Sequence, residues 1–388
     1  MAQLRLCRRL VQEVRIAIIG LRAIGPHVTG GIEKAVEALS TRFVALGHDV
    51  TVFCRARYAS EIGDTHHGVQ VRRLPAIYTK HLEAITNTVA AILCSLRGFD
   101  VIHVNATGPA LLSFLPRIFR RSVVVTVHGL DWKREKWGVI ARWVLMLGAR
   151  AAAVFPQRTI VVSKMLRAHY RREVGCEVTY IPNGVDLPAR EVCAAAPGFG
   201  LEPGKYVLFL SRLVPEKGCH TLIEAFRRLQ TTKKLAIVGE HSHSKQYADG
   251  LRKLAAGDDR IIFTGPLVGG AKDAIYRGAY AFVLPSTIEG MALVLLEAMS
   301  YGKCCVCSDI PENLEVIDPG QGAARVGMSF SCGDAEDLRQ KMDDVIRNPD
   351  VAADLGERAR SHVAAHFDWD SIARQYLDVF RSLGPGSE

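Results

Sequence analysis

Short apolar runs alternate with longer amphipathic stretches along this chain. Val14-Arg15-Ile16-Ala17-Ile18-Ile19-Gly20 reads as a first strand. Residues 31–46 follow with Ile32, Val36, Leu39, Phe43 and Leu46 at helical spacing, and Gly47 supplies the stop. Asp49 to Cys54, Val101 to Val104, Ser122 to Val127 and Thr159 to Val162 read as further strands. Strands that alternate with helices imply a mostly parallel sheet covered on both faces.

The pattern then restarts. Leu187 to Gly204 carries Pro188, Pro197, Gly198, Gly200, Pro203 and Gly204, a composition that reads as a hinge. Tyr206 to Leu210, Leu235 to Gly239, Ile261 to Thr264, Tyr280 to Leu284 and Cys304 to Cys307 form a second strand series. A last helix, about Trp369 to Leu383, has Trp369, Ile372, Tyr376, Val379 and Phe380 to bury. The expectation is an α/β protein of two αβα domains in tandem. Their bounds are 1–186 and 187–366, with 367–388 as a helix crossing back onto the first.

The length of 388 residues suffices for two such cores. No apolar run is long enough to span a bilayer: the best candidate, Val139 to Phe155, is broken by Arg142 and Arg150. Arg5, Arg8 and Arg9 precede an apolar piece too short for a signal peptide. The ten cysteines are scattered, and Cys304-Cys305-x-Cys307 sits in a strand-like run, so buried free thiols and a cytoplasmic location are expected. Residues 1–190 hold 27 Lys+Arg against 13 Asp+Glu, while the remainder is acidic on balance. A basic first half fits either a well-solvated surface or an anionic partner. A membrane surface, with the chain peripheral on the inner face of the cell membrane, is the partner expected. No aromatic-basic platform for nucleic acid is visible.

Open α/β sheets bind ligands at the carboxyl ends of their strands. After Tyr206 to Leu210 comes Ser211-Arg212-Leu213-Val214-Pro215-Glu216-Lys217-Gly218. Arg212 forks onto phosphate oxygens and Lys217 adds a point charge. Each charge-assisted bond contributes roughly 1.5–3 kcal/mol. The same spacing also fits a solvated basic loop. After Tyr280 to Leu284 come Pro285, Glu289 and Gly290, then a helix expected near Met291, whose free N–H groups suit an anion. Glu289 would accept hydrogen bonds from sugar hydroxyls. Glu297, read as two turns into that helix, is a second acceptor or simply a half-exposed helix residue. In the first domain Gly30-Gly31 allow close backbone approach. His128, beside Gly129 at a strand end, is a candidate donor to a reacting sugar or a structural residue. No G-x-G-x-x-G is present, which argues against a nicotinamide enzyme.

The ordered set "VHGLDW" from Val127, "IPNGVD" from Ile181, "SRLVPEKG" from Ser211, "IVGE" from Ile237, "FTGPL" from Phe263 and "PSTIEGMALVLLEAM" from Pro285 resembles the family-4 retaining glycosyltransferases of the GT-B fold. The resemblance implies two Rossmann-like domains facing across a cleft, the first for acceptor and the second for a nucleotide-sugar donor. It implies that Arg212 and Lys217 clamp the donor diphosphate and that Glu289 holds the transferred sugar. It places Glu297 on the ribose, Met291, Ala292 and Leu293 at the phosphates, Leu267 by the base, and Gly30, Gly31 and His128 near donor or sugar. Arg212, Lys217, Glu289 and His128 are the catalytic candidates. No metal and no cofactor is expected, and the donor expected is a UDP-sugar. Many relatives carry Phe-Gly where this chain has Met291-Ala292, which narrows the loop beside the sugar. "HGLDWKREKWG" is similar to members that build surface polysaccharides, so a saccharide or lipid-linked acceptor is expected. The alternatives are a sugar-nucleotide epimerase or hydrolase of the same fold, or a catalytically inactive sugar-nucleotide-binding protein.

Overall fold

The structure is a computed structural model that describes residues 13–25, 30–79, 82–134, 137–190, 198–240, 245–320 and 322–383. The readings placed on Arg5, Arg8 and Arg9, on residues 135 and 136, and on the hinge between 191 and 197 lie outside the described residues. The chain divides into two compact units, Met1–Asn183 with Trp369–Glu388, and Gly184–Asp368.

In the first unit the strands are β1 (Arg15–Ile19), β2 (Asp49–Arg55), β3 (Thr65–His66), β4 (Val69–Leu74), β5 (Val101–Asn105), β6 (Ser122–Val127), β7 (Arg158–Val161) and β8 (Thr179–Tyr180). Their order in the sheet is β3-β4-β2-β1-β5-β6-β7-β8. Every pairing is parallel except β3 with β4. Parallel central strands are covered on both faces, which is why β1, β5 and β6 are apolar nearly throughout. The helix Gly31–Ala45 ends at Leu46 and Gly47, whose φ of 90° suits only glycine comfortably. The last helix, Trp369–Arg381, packs on it: Phe380 meets Phe43 edge-on with ring centroids 5.6 Å apart, and Tyr376 lies beside both. Arg42 closes the contact through a 2.7 Å bond to Asp370. Burying each of these aromatic side chains contributes roughly 1.5–3 kcal/mol.

The second unit carries β9 (Tyr206–Leu210), β10 (Lys234–Val238), β11 (Ile261–Gly265), β12 (Ala281–Leu284), β13 (Cys304–Ser308) and β14 (Met328–Phe330). The order is β11-β10-β9-β12-β13-β14, all parallel. Part of its core is a cluster built on Phe209, Leu222, Phe226, Val283 and Val306. Cys304, Cys305 and Cys307 are buried free thiols within β13, and burial pushes the thiols of Cys304 and Cys307 up to about 12. The Val185 N–H bonds the Phe367 carbonyl at 2.7 Å, so the chain's way into this unit lies beside its way out.

Each sheet has one place where successive connections run in opposite directions: between β1 and β5, and between β9 and β12. Loops diverge there and leave a crevice at the strand ends, the usual ligand position in such sheets.

Candidate functional site

The second unit's crevice is bordered by the loop after β9 and the loop after β12. The first loop holds Arg212 and then a 3-10 turn, Pro215–Lys217. Two glycines fix it. Gly239 follows β10, and a Cβ there would sit 1.9 Å from the Ser211 carbonyl oxygen, so only glycine lets β10 press against the Arg212 segment. The Leu213 N–H then bonds the Glu240 carbonyl at 3.0 Å. Gly218 has φ of 66°, and a Cβ on it would meet the Pro285 carbonyl oxygen at 2.0 Å. That close approach joins the first loop to the second. The Thr287 N–H completes the tie with a 2.9 Å bond to the Glu216 carbonyl.

The result is an ion pair. Lys217 Nζ donates to Glu289 Oε1 at 2.5 Å, with the two side chains only 12% and 7% exposed. A charge pair this dry is strong only because both members are present. Arg212 is half-buried on the same loop.

After Glu289 the chain bends at Gly290 and Met291, and the helix starts later than the apolar pattern implies. The helix is Leu293–Ser300 and begins at Leu293, not at Met291. Ala292 is the N-cap, with φ −75° and ψ 103°, and no side chain caps the helix. That conformation is ordinary for alanine, so the Met291-Ala292 replacement of Phe-Gly imposes no backbone strain. Both side chains are buried. The Leu295 and Leu296 N–H groups bond the Ala292 carbonyl at 3.0 and 3.3 Å, while the amides of Leu293 and Val294 have no intrahelical acceptor by construction. Glu297 consequently lies one turn into the helix rather than two.

Glu297 is more than a half-exposed helix residue. Lys272 Nζ bonds its Oε1 at 2.6 Å and Tyr276 OH bonds its Oε2 at 3.0 Å. Both partners come from the helix Gly269–Gly278, which starts two residues after Leu267. Tyr276 is fully buried and stacks on Tyr301 with centroids 5.1 Å apart. Burial and the Glu297 carboxylate push its phenol well above the ordinary value. The sequence reading missed Lys272 and Tyr276. Their i,i+4 spacing on one helix face was the available signal, but nothing in the order of residues linked that face to Glu297.

In the first unit, Gly30 is the N-cap of Gly31–Ala45 with φ −76°. A Cβ on Gly30 would meet only the flexible end of Glu33, and one on Gly31 would meet nothing within 4 Å. Neither glycine is demanded by the chain's own backbone or packing. His128 follows β6, and its Nε2 lies 3.0 Å from Asn105 Oδ1 at the end of β5. Asn105 Nδ2 points to the Ile19 carbonyl at 3.5 Å, which turns Oδ1 toward the imidazole. An amide oxygen only accepts, so His128 Nε2 carries the proton and Nδ1 the lone pair. Burial lowers the His128 pKa to about 4 against the opposing pull of Asp131. The neutral ring therefore donates to Asn105 through Nε2 and keeps its lone pair on Nδ1.

The structure brings Lys217 together with Glu289, and sets Met291, Ala292 and Leu293 directly after them in the chain. Leu267 precedes the helix that holds Glu297. Gly30, Gly31 and His128 belong to the other unit.

Comparison with known proteins agrees across both units. The family model for Glycosyltransferase Family 4 matches residues 29–188, and that for Glycosyl transferases group 1 matches residues 199–362. A glycogen synthase of Mycobacterium tuberculosis is 28% identical, over 93% of each chain. A phosphatidyl-myo-inositol mannosyltransferase of Mycobacterium leprae is also 28% identical, over 92% of this chain and 94% of the relative. Among solved structures, sucrose-phosphate synthase from Thermosynechococcus elongatus superposes with a TM-score of 0.80 at 23% identity, covering 95% of this chain and 99% of that one. Anabaena HepE in complex with UDP-glucose gives a TM-score of 0.77 at 18% identity, over 95% and 100%. These two likenesses show the fold. The chain belongs to the family-4 glycosyltransferases, enzymes of glycosyl transfer on the GT-B fold.

Proposed function

We propose that the chain moves a sugar from a UDP-sugar to a hydroxyl of a saccharide or lipid-linked acceptor, with retention of anomeric configuration and without a metal ion. The observation that carries this is the convergence of Lys217, Glu289 and the uncapped start of Leu293–Ser300 at the β9/β12 crevice. The diphosphate leaving group, already an anion, gains one further negative charge as the glycosidic bond breaks. Lys217, Arg212 and the amides near Ala292 and Leu293 supply fixed positive potential there, with no reorganisation at the moment of reaction. Donor binding would draw Lys217 toward phosphate and free Glu289 for the hydroxyls of the transferred sugar. Glu297, held from both sides, is suited to a ribose. Leu267 would flank the base. In the first unit, Gly30 and Gly31 would allow close backbone approach by a ligand, and Nδ1 of His128 would accept from a sugar hydroxyl.

The acceptor hydroxyl attacks from the face the leaving group vacates, and its proton passes to the departing phosphate. No protein nucleophile is assigned: Glu289 positions the sugar. The donor solved with Anabaena HepE supports a UDP-sugar. The phosphatidyl-myo-inositol mannosyltransferase relative, named for a lipid acceptor, supports a lipid-linked one. The basic first half supports work on the cytoplasmic face of a membrane.

The test is a panel of nucleotide-sugars screened for protection against thermal unfolding, followed by product analysis. A true donor at a hundredfold excess over its Kd stabilises by about 2.7 kcal/mol. The product should keep the donor's anomeric configuration, and a chelator should leave the rate unchanged. Conversion of the donor without any acceptor would instead favour the epimerase or hydrolase reading. Protection without turnover would favour a binding protein.

A further inference from the structure

We propose that the helix Val139–Val154 lies in the surface of an anionic lipid bilayer, with its outer apolar face inserted among the acyl chains and its arginines at the phosphates. This deepens the reading that the first unit works at a membrane, and it names the face.

The inner side of this helix is settled. Leu145, Gly148, Ala149 and Ala152 are buried, and a Cβ on Gly148 would stand 2.2 Å from the Thr107 carbonyl oxygen. The helix is therefore pressed flat onto the chain at Thr107 and cannot roll its other side inward. That other side is apolar. Ile140, Trp143, Leu147 and Val154 recur at helical spacing on one stripe, 82%, 63%, 51% and 70% exposed. A surface helix of a water-facing protein would carry charged residues there.

The stripe continues onto a neighbour. The helix Phe114–Ile118 runs into the exposed Ile118 and Phe119. It is fastened to the end of the long helix by Phe114 against Phe155, centroids 5.6 Å apart, and by Arg117 Nε on the Phe155 carbonyl at 3.1 Å. The long helix of 16 residues is about 24 Å in length. The apolar face thus extends beyond a single side chain's reach.

Charge decides what covers it. Residues 101–130 and 137–172 contain no Asp or Glu at all, and hold ten Lys and Arg. Arg142 and Arg150 are on the helix itself, and Arg120 and Arg121 follow Phe119. A second copy of this chain would set these arginines against one another. Phospholipid headgroups match them, and an apolar stripe with a tryptophan and flanking arginines is the composition of an in-plane membrane helix.

The experiment is flotation of the full chain with vesicles, read without donor or acceptor so that it stands apart from catalysis. Binding is expected with vesicles containing phosphatidylglycerol and far weaker with phosphatidylcholine alone. Brominated acyl chains should quench tryptophan emission, and Trp143→Phe should remove most of that quenching. Changing Ile140, Trp143 and Leu147 together to serine should weaken binding at least about tenfold. Arg142→Gln and Arg150→Gln should each weaken it about fivefold. All five positions are exposed, and unchanged thermal melts would confirm that the variants fold. Undiminished binding by the triple variant, absence of Trp143-dependent quenching, or self-association through this face without vesicle binding would each overturn the inference. Transfer to a soluble acceptor should survive the triple variant, so a failed transferase reading would show separately.

Discussion

Lys217 and Glu289 lie 72 positions apart in the chain and meet at 2.5 Å, each on the loop after a strand that borders the β9/β12 crevice. With both side chains largely dry, the pair couples the site's charge to the stability of the unit that carries it. In the proposed function, the cation that would serve a phosphate is stored against the carboxylate that would serve a sugar.

Removing one member should therefore harm the fold as well as the chemistry. Lys217→Met leaves the Glu289 carboxylate buried without its cation, at a cost of about 3 kcal/mol. Adding Glu289→Gln removes the uncompensated charge and should restore most of that loss. Transfer should stay abolished in the double variant. Thermal melts and single-turnover rates on the two single variants and the double variant check this. Equal melting points for Lys217→Met and the parent would deny the coupling.

Arg212 tests the clamp with less interference from the fold. It is half-buried on the loop, with Leu213 and Val214 behind it taking the core contacts. Arg212→Ala should lower kcat/KM by about 10²–10³, the usual cost of deleting one preorganised charge partner of a transition state. The melting point should move far less than in Lys217→Met. A rate within threefold of the parent would remove Arg212 from the phosphate site.

The strands and the order of the two αβα units were legible because their signals are local. Tyr206–Leu210 is an unbroken apolar run and Ser122–Val127 a β-branched run interrupted only by Thr126, and the structure keeps those bounds. β4 (Val69–Leu74) and β14 (Met328–Phe330) were not read: β14 buries a single residue, and the alternation in β4, Val69-Gln70-Val71-Arg72, covers only two buried positions. The start of the helix after Glu289 was misplaced by two residues for a different reason. Met291 and Ala292 are apolar and buried, so they resemble helix, yet Met291 sits in a bend and Ala292 has an extended backbone. The partners of Glu297 and His128 were illegible altogether. Lys272, Tyr276 and Asn105 reach them only through the sheet's crossovers, which a linear spacing does not encode.

The Glu297 arrangement separates binding from chemistry. Tyr276 OH holds Oε2 while Lys272 holds Oε1, fixing the plane of the carboxylate. Tyr276→Phe keeps the ring stacked on Tyr301 and deletes only the hydroxyl. It should raise the donor KM several-fold, for one lost hydrogen bond of about 1 kcal/mol, and leave kcat within twofold. Loss confined to kcat would place Glu297 at the reacting carbon instead of the ribose.

Two imidazoles give the first unit a predictable acid limb. Burial lowers His103 to about 3 and His128 to about 4, from an ordinary value of about 6.5. Their neutral forms are the ones the folded state accommodates. Between about pH 6.5 and pH 4 the unfolded chain binds more protons than the folded one, so stability falls as pH falls through that window and is fully present above it. The Asp100 carboxylate, held below its usual range by Arg15, adds acid sensitivity only lower down. For His103, which is 1% exposed, the slope is at most about 1.4 kcal/mol per pH unit. His103→Phe removes that contribution while keeping a ring against Tyr376 and Phe380. Thr126, whose hydroxyl lies 2.8 Å from His103 Nε2, still has the Tyr376 hydroxyl as a partner. Melting curves from pH 7 to pH 4.5 should therefore be flatter in His103→Phe than in the parent. They should not become level, because His48, His128 and His169 are lowered in the same direction. Parallel curves would mean that His103 protonates without opening the sheet, and that the acid limb belongs to the other lowered histidines, His362 among them.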